Sequence, residues 1–171
     1  MSKILSVSVA AYNMENFIGE CLNSFCMCKN LNLMEIIVND NGSTDRTDQI
    51  VQLYVDKYPD VFHLIKRKIN GHYGAVLNTA IQNATGEYFK LVDGDDWVNA
   101  EALDHLIEVL KNTEADVVIN NYRRVYPEHV DFGDLQKEHD CNMVYTFETI
   151  GRFQMYPMHG ITVRLDKYKK R

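Results

Sequence analysis

Several features are scarce or missing in this chain, and each absence removes a class of function. No apolar run approaches the roughly 20 residues of a membrane-spanning helix, so no transmembrane segment is expected. The opening MSKILSVSVAAYN holds one lysine, but it alternates like a strand and breaks at Tyr12 and Asn13, which speaks against a signal peptide. Positive charge is short: 18 Lys and Arg stand against 24 Asp and Glu, and the net −6 argues against a nucleic-acid partner. A phosphate-bearing ligand stays compatible, because one bound cation inverts the local sign. Only three prolines occur, none clustered, so no linker-like stretch divides the chain.

Cysteine is equally uninformative as a staple. Cys26 and Cys28 form C-x-C, but Cys21 and Cys141 supply no second pair at zinc-site spacing. Cys21 and Cys28 fall on the apolar side of a predicted helix, so reduced core thiols and a cytoplasmic setting are expected. Glycine motifs fail as well. No G-x-G-x-x-G follows the first strand, and Gly71 and Gly74 are not followed by Gly-Lys-Ser/Thr, so the dinucleotide-binding and Walker-type readings lose their support.

What remains is a chain of 171 residues, 46% hydrophobic, of a size to bury one core. Its patterning alternates between strand and helix. KILSVSVAA (3–11), MEIIVND (34–40), VFHLIKR (61–67) and GEYFKLV (86–92) read as strands. Between them lie helical patterns: 15–28, with Phe17, Ile18, Cys21, Leu22, Phe25 and Cys28 at apolar spacing, then 47–58 and 74–84. Ser43 and Thr44 are the expected N-caps of the second, with Asp45 in its first turn. Leu103, Leu106, Ile107 and Leu110 mark a fourth helix, and ADVVINNYRRVY (115–126) reads as one further strand. Beyond Pro127 the pattern weakens: 128–142 reads as loop, 143–153 as a strand turning into a helix, and GITVRL (160–165) as a strand. Such alternation predicts an α/β fold, a mostly parallel sheet between two helical layers.

Ligands of such sheets sit beyond the carboxyl ends of the strands. Three polar clusters, Tyr12–Glu15, Asp40–Asp45 and Asp93–Asp96, fall there, and a fourth precedes a helix. In LVDGDDWV, Asp93 and Asp95 lie two apart on an extended backbone and can face one point, while Asp96 turns away. Gly94 between them admits a close neighbour. Two carboxylates at a strand end suit Mg2+ or Mn2+, although a solvated acidic turn before the next helix has the same composition. In VNDNGSTD, Asp40 and Asn41 close a strand, and an asparagine offers a donor and an acceptor suited to a base edge. In YNME, Tyr12 can stack on a nucleobase, and Glu15 can bond a ribose hydroxyl or serve the helix start. In NGHYGAVLN, Gly71 and Gly74 permit a tight backbone before a helix N-terminus that could face phosphate.

Taken in order, AAYNME, NDNGSTD, NGHYGAVLN and GEYFKLVDGDDW resemble the four motifs of family 2 glycosyltransferases of the GT-A fold, over residues 4 to 125. The usual pattern runs P-x-Y-N-x-E, D-D-G-S-T-D, N-x-G…A-x-N and G-E-Y…D-x-D-D-W. The resemblance implies a single GT-A catalytic domain over 1–171, with 1–125 as its nucleotide-sugar-binding core and its acceptor side truncated. It implies a nucleotide-sugar site built from Ala11, Tyr12, Asn13, Glu15, Asp40, Asn41, Gly71, Asn78, Asp93, Gly94 and Asp96. Asp95, with Asp93, would hold the divalent metal, while Asp96 and Trp97 would wall the sugar pocket. Two departures stand out: Ala10 replaces the usual proline, and Asn41 replaces the second aspartate of the second motif. UDP remains the favoured nucleotide because an asparagine carbonyl can still accept from the base; GDP and dTDP stay open.

The implied reaction displaces the nucleotide from the anomeric carbon with inversion, using a metal as Lewis acid and a carboxylate base for the acceptor hydroxyl. The acceptor would be a glycan, a lipid-linked molecule or another hydroxyl. That base is expected beyond Arg171, since Asp131, Asp134, Glu138 and Asp140 do not match its place. The basic ending RLDKYKKR allows peripheral contact with the inner face of a membrane, although a solvated tail has the same composition. His159, in PMHG, reads first as a loop histidine bonded to backbone, although a neutral imidazole there could meet the diphosphate or the metal. Two other classes fit the same pattern: a module that binds nucleotide-sugar without transfer, and a nucleotidyltransferase. The second lacks the Gly-rich basic first loop it needs.

Overall fold

A computed structural model describes residues 2–68, 70–133, 146 and 158–169. The chain alternates as its pattern demands: β1 (Leu5–Ala11), α1 (Ile18–Cys26), β2 (Met34–Asp40), α2 (Thr47–Lys57), β3 (Phe62–Lys66), α3 (Tyr73–Asn83), β4 (Tyr88–Asp93) and α4 (Ala100–Lys111). Short strands follow: β5 (Val117–Ile119), β6 (Tyr122–Val125), β7 (Val130–Gly133) and β8 (Ile161–Arg164), then α5 (Leu165–Lys169). The main sheet has six strands in the order β3-β2-β1-β4-β8-β5. Strands β1 to β4 pair in parallel, and β8 runs antiparallel between β4 and β5.

Period-two alternation gives the central strands β1, β2 and β4 two buried faces. On one face, Val7, Val9, Ile36, Val38, Tyr88 and Val92 pack against Ile18, Leu22 and Phe25 of α1, Val51 of α2, and Leu103, Leu106, Ile107 and Leu110 of α4. On the other, Ile37 and Phe89 meet Ala80 of α3, Ala84 and Leu165 of α5. A fully buried Leu, Ile or Phe contributes about 1.5–3 kcal/mol, so these two layers fix the strand order. At the end of the sheet away from the polar clusters, the buried Glu35 carboxylate accepts from Ser6 Oγ and from the Thr85 and Gly86 N–H groups. Burial alone would raise its pKa, but these bonds outweigh it and hold it below the ordinary glutamate value. Gly86 is required there: a Cβ would lie 2.7 Å from the Ser6 nitrogen.

Four expectations change in detail. Helix α1 begins at Ile18 rather than near Glu15, because Met14–Phe17 forms a turn closed by the Phe17 N–H on the Met14 carbonyl. Phe17 is consequently exposed, and Cys28 is buried beyond the helix end. Ser43 and Thr44 do not cap α2: they bond Asn13, and Asp45 holds the Thr47 N–H and Oγ1 at the helix start. The expected strand 115–126 divides at Asn120–Asn121, where β5 stays in the main sheet and β6 leaves it to pair with β7. That hairpin places a strand, β7, inside the stretch read as loop. The expected strand and helix at 143–153 lie outside the described residues, apart from Thr146.

Candidate functional site

The parallel register sets the site. Asp40 stands opposite Ala11 and Asp93 opposite Ala10, so the ends of β2, β1 and β4 bring their polar clusters to one rim. The Gly94 N–H donates to the Ala10 carbonyl at 2.9 Å and the Asn41 N–H to the Ala11 carbonyl at 2.8 Å, which locks the three ends together. Gly94 is buried in that contact, where a Cβ would meet the Ala10 oxygen at 2.8 Å. This gives the glycine between the aspartates a steric reason.

On the β1–β2 side the loops are zipped together. Asn13 adopts a left-handed backbone with φ of 53°, which turns its N–H toward Ser43 Oγ at 3.0 Å and its Oδ1 toward the Thr44 N–H at 2.8 Å. The Met14 N–H donates to Thr47 Oγ1, and the Glu15 N–H to Asp45 Oδ2. Glu15 Oε2 accepts from the Arg46 N–H and Nε. Asp40 is buried and accepts the Ser43 N–H at 2.9 Å. Asn41 reaches across to the β3–α3 loop, bonding Gly71 and Asn70. Tyr12 stands at the rim with 42% of its surface open. Asn78 is exposed within α3.

The β4 side is built differently. Asp93 is half-buried and accepts from Tyr73 Oη at 3.3 Å, while Asp95, Asp96 and Trp97 are exposed. Burial and the Asp93 carboxylate push the Tyr73 hydroxyl up to about 12, so it stays a donor. Partial burial and repulsion from Asp95 and Asp93 raise the Asp96 carboxyl above its ordinary value, against a small opposing pull from His159. Burial, with the three aspartates behind it, pushes the Cys21 thiol up to about 12 and makes it inert. Among the described residues no three His, Cys, Asp or Glu side chains converge to hold a metal unaided. The donor set nonetheless suits Mg2+ or Mn2+, which take one or two carboxylates and complete their shell with phosphate oxygens and water.

One buried group escapes sequence reading. Lys90, in the middle of β4, donates to Asn120 Oδ1 at 2.9 Å and to the His159 carbonyl at 2.6 Å. Burial alone pushes its amine down to about 8. It ties β4 to the β5–β6 junction and to the turn preceding β8. His159 packs edge-on against Tyr122 with ring centroids 4.5 Å apart, and its buried Nε2 has no partner among the described residues. In the sequence Lys90 differs from an ordinary strand lysine only by the apolar residues flanking it.

The sequence pattern of Glycosyl transferase family 2 matches residues 6–165. The poly(ribitol-phosphate) beta-glucosyltransferase of Bacillus spizizenii is 35% identical over 123 residues, which is 71% of this chain and 19% of that protein. S. aureus TarS 1-349, solved in complex with UDP-GlcNAc, superposes with a TM-score of 0.60 at 33% identity, over 68% of this chain and 33% of that one. The mannosyltransferase PcManGT from Pyrobaculum calidifontis, solved with GDP-Man and Mn2+, gives a TM-score of 0.59 at 26% identity, over 71% of this chain and 35% of that one. The chain spans between 16% and 40% of the length of the curated relatives it matches. With that pattern matched over residues 6–165 and TarS superposing on this mostly parallel α/β architecture, the fold is of the GT-A type and the chain belongs to glycosyl transferase family 2.

Proposed function

We propose that this chain is the donor-binding part of a metal-dependent, inverting glycosyltransferase of polysaccharide or glycan synthesis, with a UDP-sugar as its favoured donor. The observation that carries the reading is the register that brings Tyr12, Asp40–Asn41 and Asp93–Asp96 to one rim. Solved relatives bound to UDP-GlcNAc, and to GDP-Man with Mn2+, support it. Residues 1–125 form the nucleotide-sugar core in this reading.

Tyr12 packs against the base, with Ala11, Asn13 and Glu15 shaping the loop beneath the nucleoside. Asp40 and Asn41 with Gly71 line the base end, and Asn78 follows on α3. Asp93 and Gly94 lie under the ribose and diphosphate, while Asp96 and Trp97 border the transferred sugar. Asp95, with Asp93, would hold Mg2+ or Mn2+. When bound, such an ion neutralises charge on the departing diphosphate. In the transfer, the bond from the anomeric carbon to the diphosphate oxygen breaks and one to the acceptor oxygen forms. The acceptor's proton passes to a carboxylate not assigned among the described residues. The free thiols of Cys21, Cys26 and Cys28 favour a reducing, cytoplasmic setting.

Three clustered carboxylates should disfavour an anionic diphosphate unless a cation joins them. Binding of UDP and of Mn2+ should therefore be positively coupled, typically by about 1–3 kcal/mol or roughly 5–150-fold. Calorimetric titration of UDP in EDTA and in Mn2+ measures this directly. Equal affinity in the two buffers would remove the metal from the reading.

A further inference from the structure

The side chain of Asn41 is engaged at both ends. Its Oδ1 accepts from the Gly71 N–H at 2.9 Å, and its Nδ2 donates to the Gly71 carbonyl at 2.9 Å and to Asn70 Oδ1 at 2.6 Å. The amide thus pairs with the Gly71 main chain as one strand residue pairs with another. A primary amide has two N–H donors and two acceptor lone pairs. Among the described residues both donors are engaged and one lone pair stays open. The loop held this way, which carries Asn70 and Gly71, leaves β3 with the Arg67 N–H on the Asp40 carbonyl and delivers α3, whose Tyr73 Oη reaches Asp93. The clamp therefore lies between the β2 end of the rim and its acidic end.

We propose that Asn41 is a positioning residue: its amide closes the β3–α3 loop through Gly71, seats Tyr73 on Asp93, and must be asparagine rather than aspartate. The functional consequence rests on the nucleotide-sugar reading; the clamp itself does not. Aspartate has nearly the same shape but no donor when ionised. It would keep the bond from the Gly71 N–H, lose both Nδ2 bonds, and set a negative charge against two oxygens. The departure from the usual aspartate of the second motif thus has a local cause. A residue serving only to accept an N–H from the base predicts the opposite sign, because a carboxylate accepts at least as well.

The test is titration of UDP with Mn2+ into the 171-residue chain, followed by fluorescence of its single tryptophan, Trp97. Asn41→Asp should weaken UDP by about tenfold and Asn70→Ala by about threefold, as expected for two bonds and one. As pH falls from about 7.5 to about 4, the ordinary aspartate range, the Asn41→Asp deficit relative to wild type should shrink, because protonation restores a donor. A merely structural defect would not recover in this way. Hydrogen exchange without nucleotide should quicken in the 66–75 segment of both variants and stay unchanged in β1, β2 and β4, which also verifies folding. Undiminished UDP binding by Asn41→Asp, or unchanged exchange in that segment, would overturn the clamp. If wild type binds no nucleotide, the nucleotide-sugar reading fails instead, and exchange alone decides the clamp.

Discussion

The two sides of the rim follow opposite plans. Where β1 and β2 end, nearly every polar group has a partner inside the protein: Asn13 with Ser43 and Thr44, Glu15 with Asp45 and Arg46, Asn41 with Gly71. Where β4 ends, Asp95 and Asp96 are exposed, and among the described residues the three clustered carboxylates receive one side-chain hydroxyl, from Tyr73 to Asp93. A side that is already satisfied can hold a shape before a ligand arrives, which lowers the ordering cost of binding. A side of unneutralised like charges is held back from that state until a cation joins it. The first plan suits a nucleoside and the second a metal–diphosphate.

The largest expected effect breaks the second side. Asp95→Ala should remove the roughly 5–150-fold enhancement of UDP binding by Mn2+, leaving affinity in EDTA unchanged or slightly raised. Removing one of three like charges relieves repulsion, so the melting temperature should not fall. An Asp95→Ala protein with its Mn2+ enhancement intact would show that the two sides do not differ in the way described.

Next in size is the cation beneath the acidic side. Lys90 is buried and its folded pKa is lowered from 10.5 to about 8. The unfolded chain then binds more protons than the folded one between these values, so stability rises as pH rises through that window. Wild type should gain on the order of 2 kcal/mol between about pH 8 and 10 relative to Lys90→Met. Denaturant titrations of both proteins at each pH measure it. Parallel pH profiles would mean that Lys90 is not buried as a cation.

Third comes the zipper of the first side. Asp45 accepts from Glu15, from the Thr47 N–H and from Thr47 Oγ1. Partial desolvation would raise its pKa, but these bonds prevail and hold it below 3.8. Its contribution is therefore present above the ordinary aspartate range and lost as pH falls below it. Asp45→Ala should destabilise the fold by about 1–2 kcal/mol near neutral pH, with the difference from wild type narrowing in acid. A melting temperature equal to wild type at neutral pH would deny the zipper any weight.

These contrasts also show what a sequence can and cannot reveal. Strands β1 to β4 and the buried face of α4 are legible because local periodicity and burial agree, as at Leu103, Leu106, Ile107 and Leu110. The acidic rim is legible for the same reason, since a strand end is a local event. The break of the 115–126 strand is not local. It depends on the Asn120 N–H reaching the Gly160 carbonyl and its side chain reaching Lys90. Lys90 reads as a routine polar residue because its partners lie far along the chain. Asn41 reads as a base-facing group until the loop carrying Gly71 is seen folded against it. Residue type and spacing foretell which groups gather; long-range hydrogen bonds decide which of them are left free.

The smallest expected effect sharpens the comparison at its most exposed point. Tyr12 is at the rim of the satisfied side, yet 42% of it is open, and the hydrogen bonds around it belong to its neighbours. Its contribution should come from its ring face rather than from a directed bond. Every nucleobase offers a π-face, so stacking is tolerant of base identity and worth about 1–3 kcal/mol per base. Half-open packing places Tyr12 at the low end. Tyr12→Ala should weaken UDP, GDP and dTDP alike, each by about fivefold, while Tyr12→Phe leaves all three unchanged. Titrating the three nucleotides against the two variants reads this out. A loss confined to one base, or a loss in the phenylalanine variant, would mean that the tyrosine hydroxyl reads the ligand, and the first side would then be a recognition surface rather than a preformed seat.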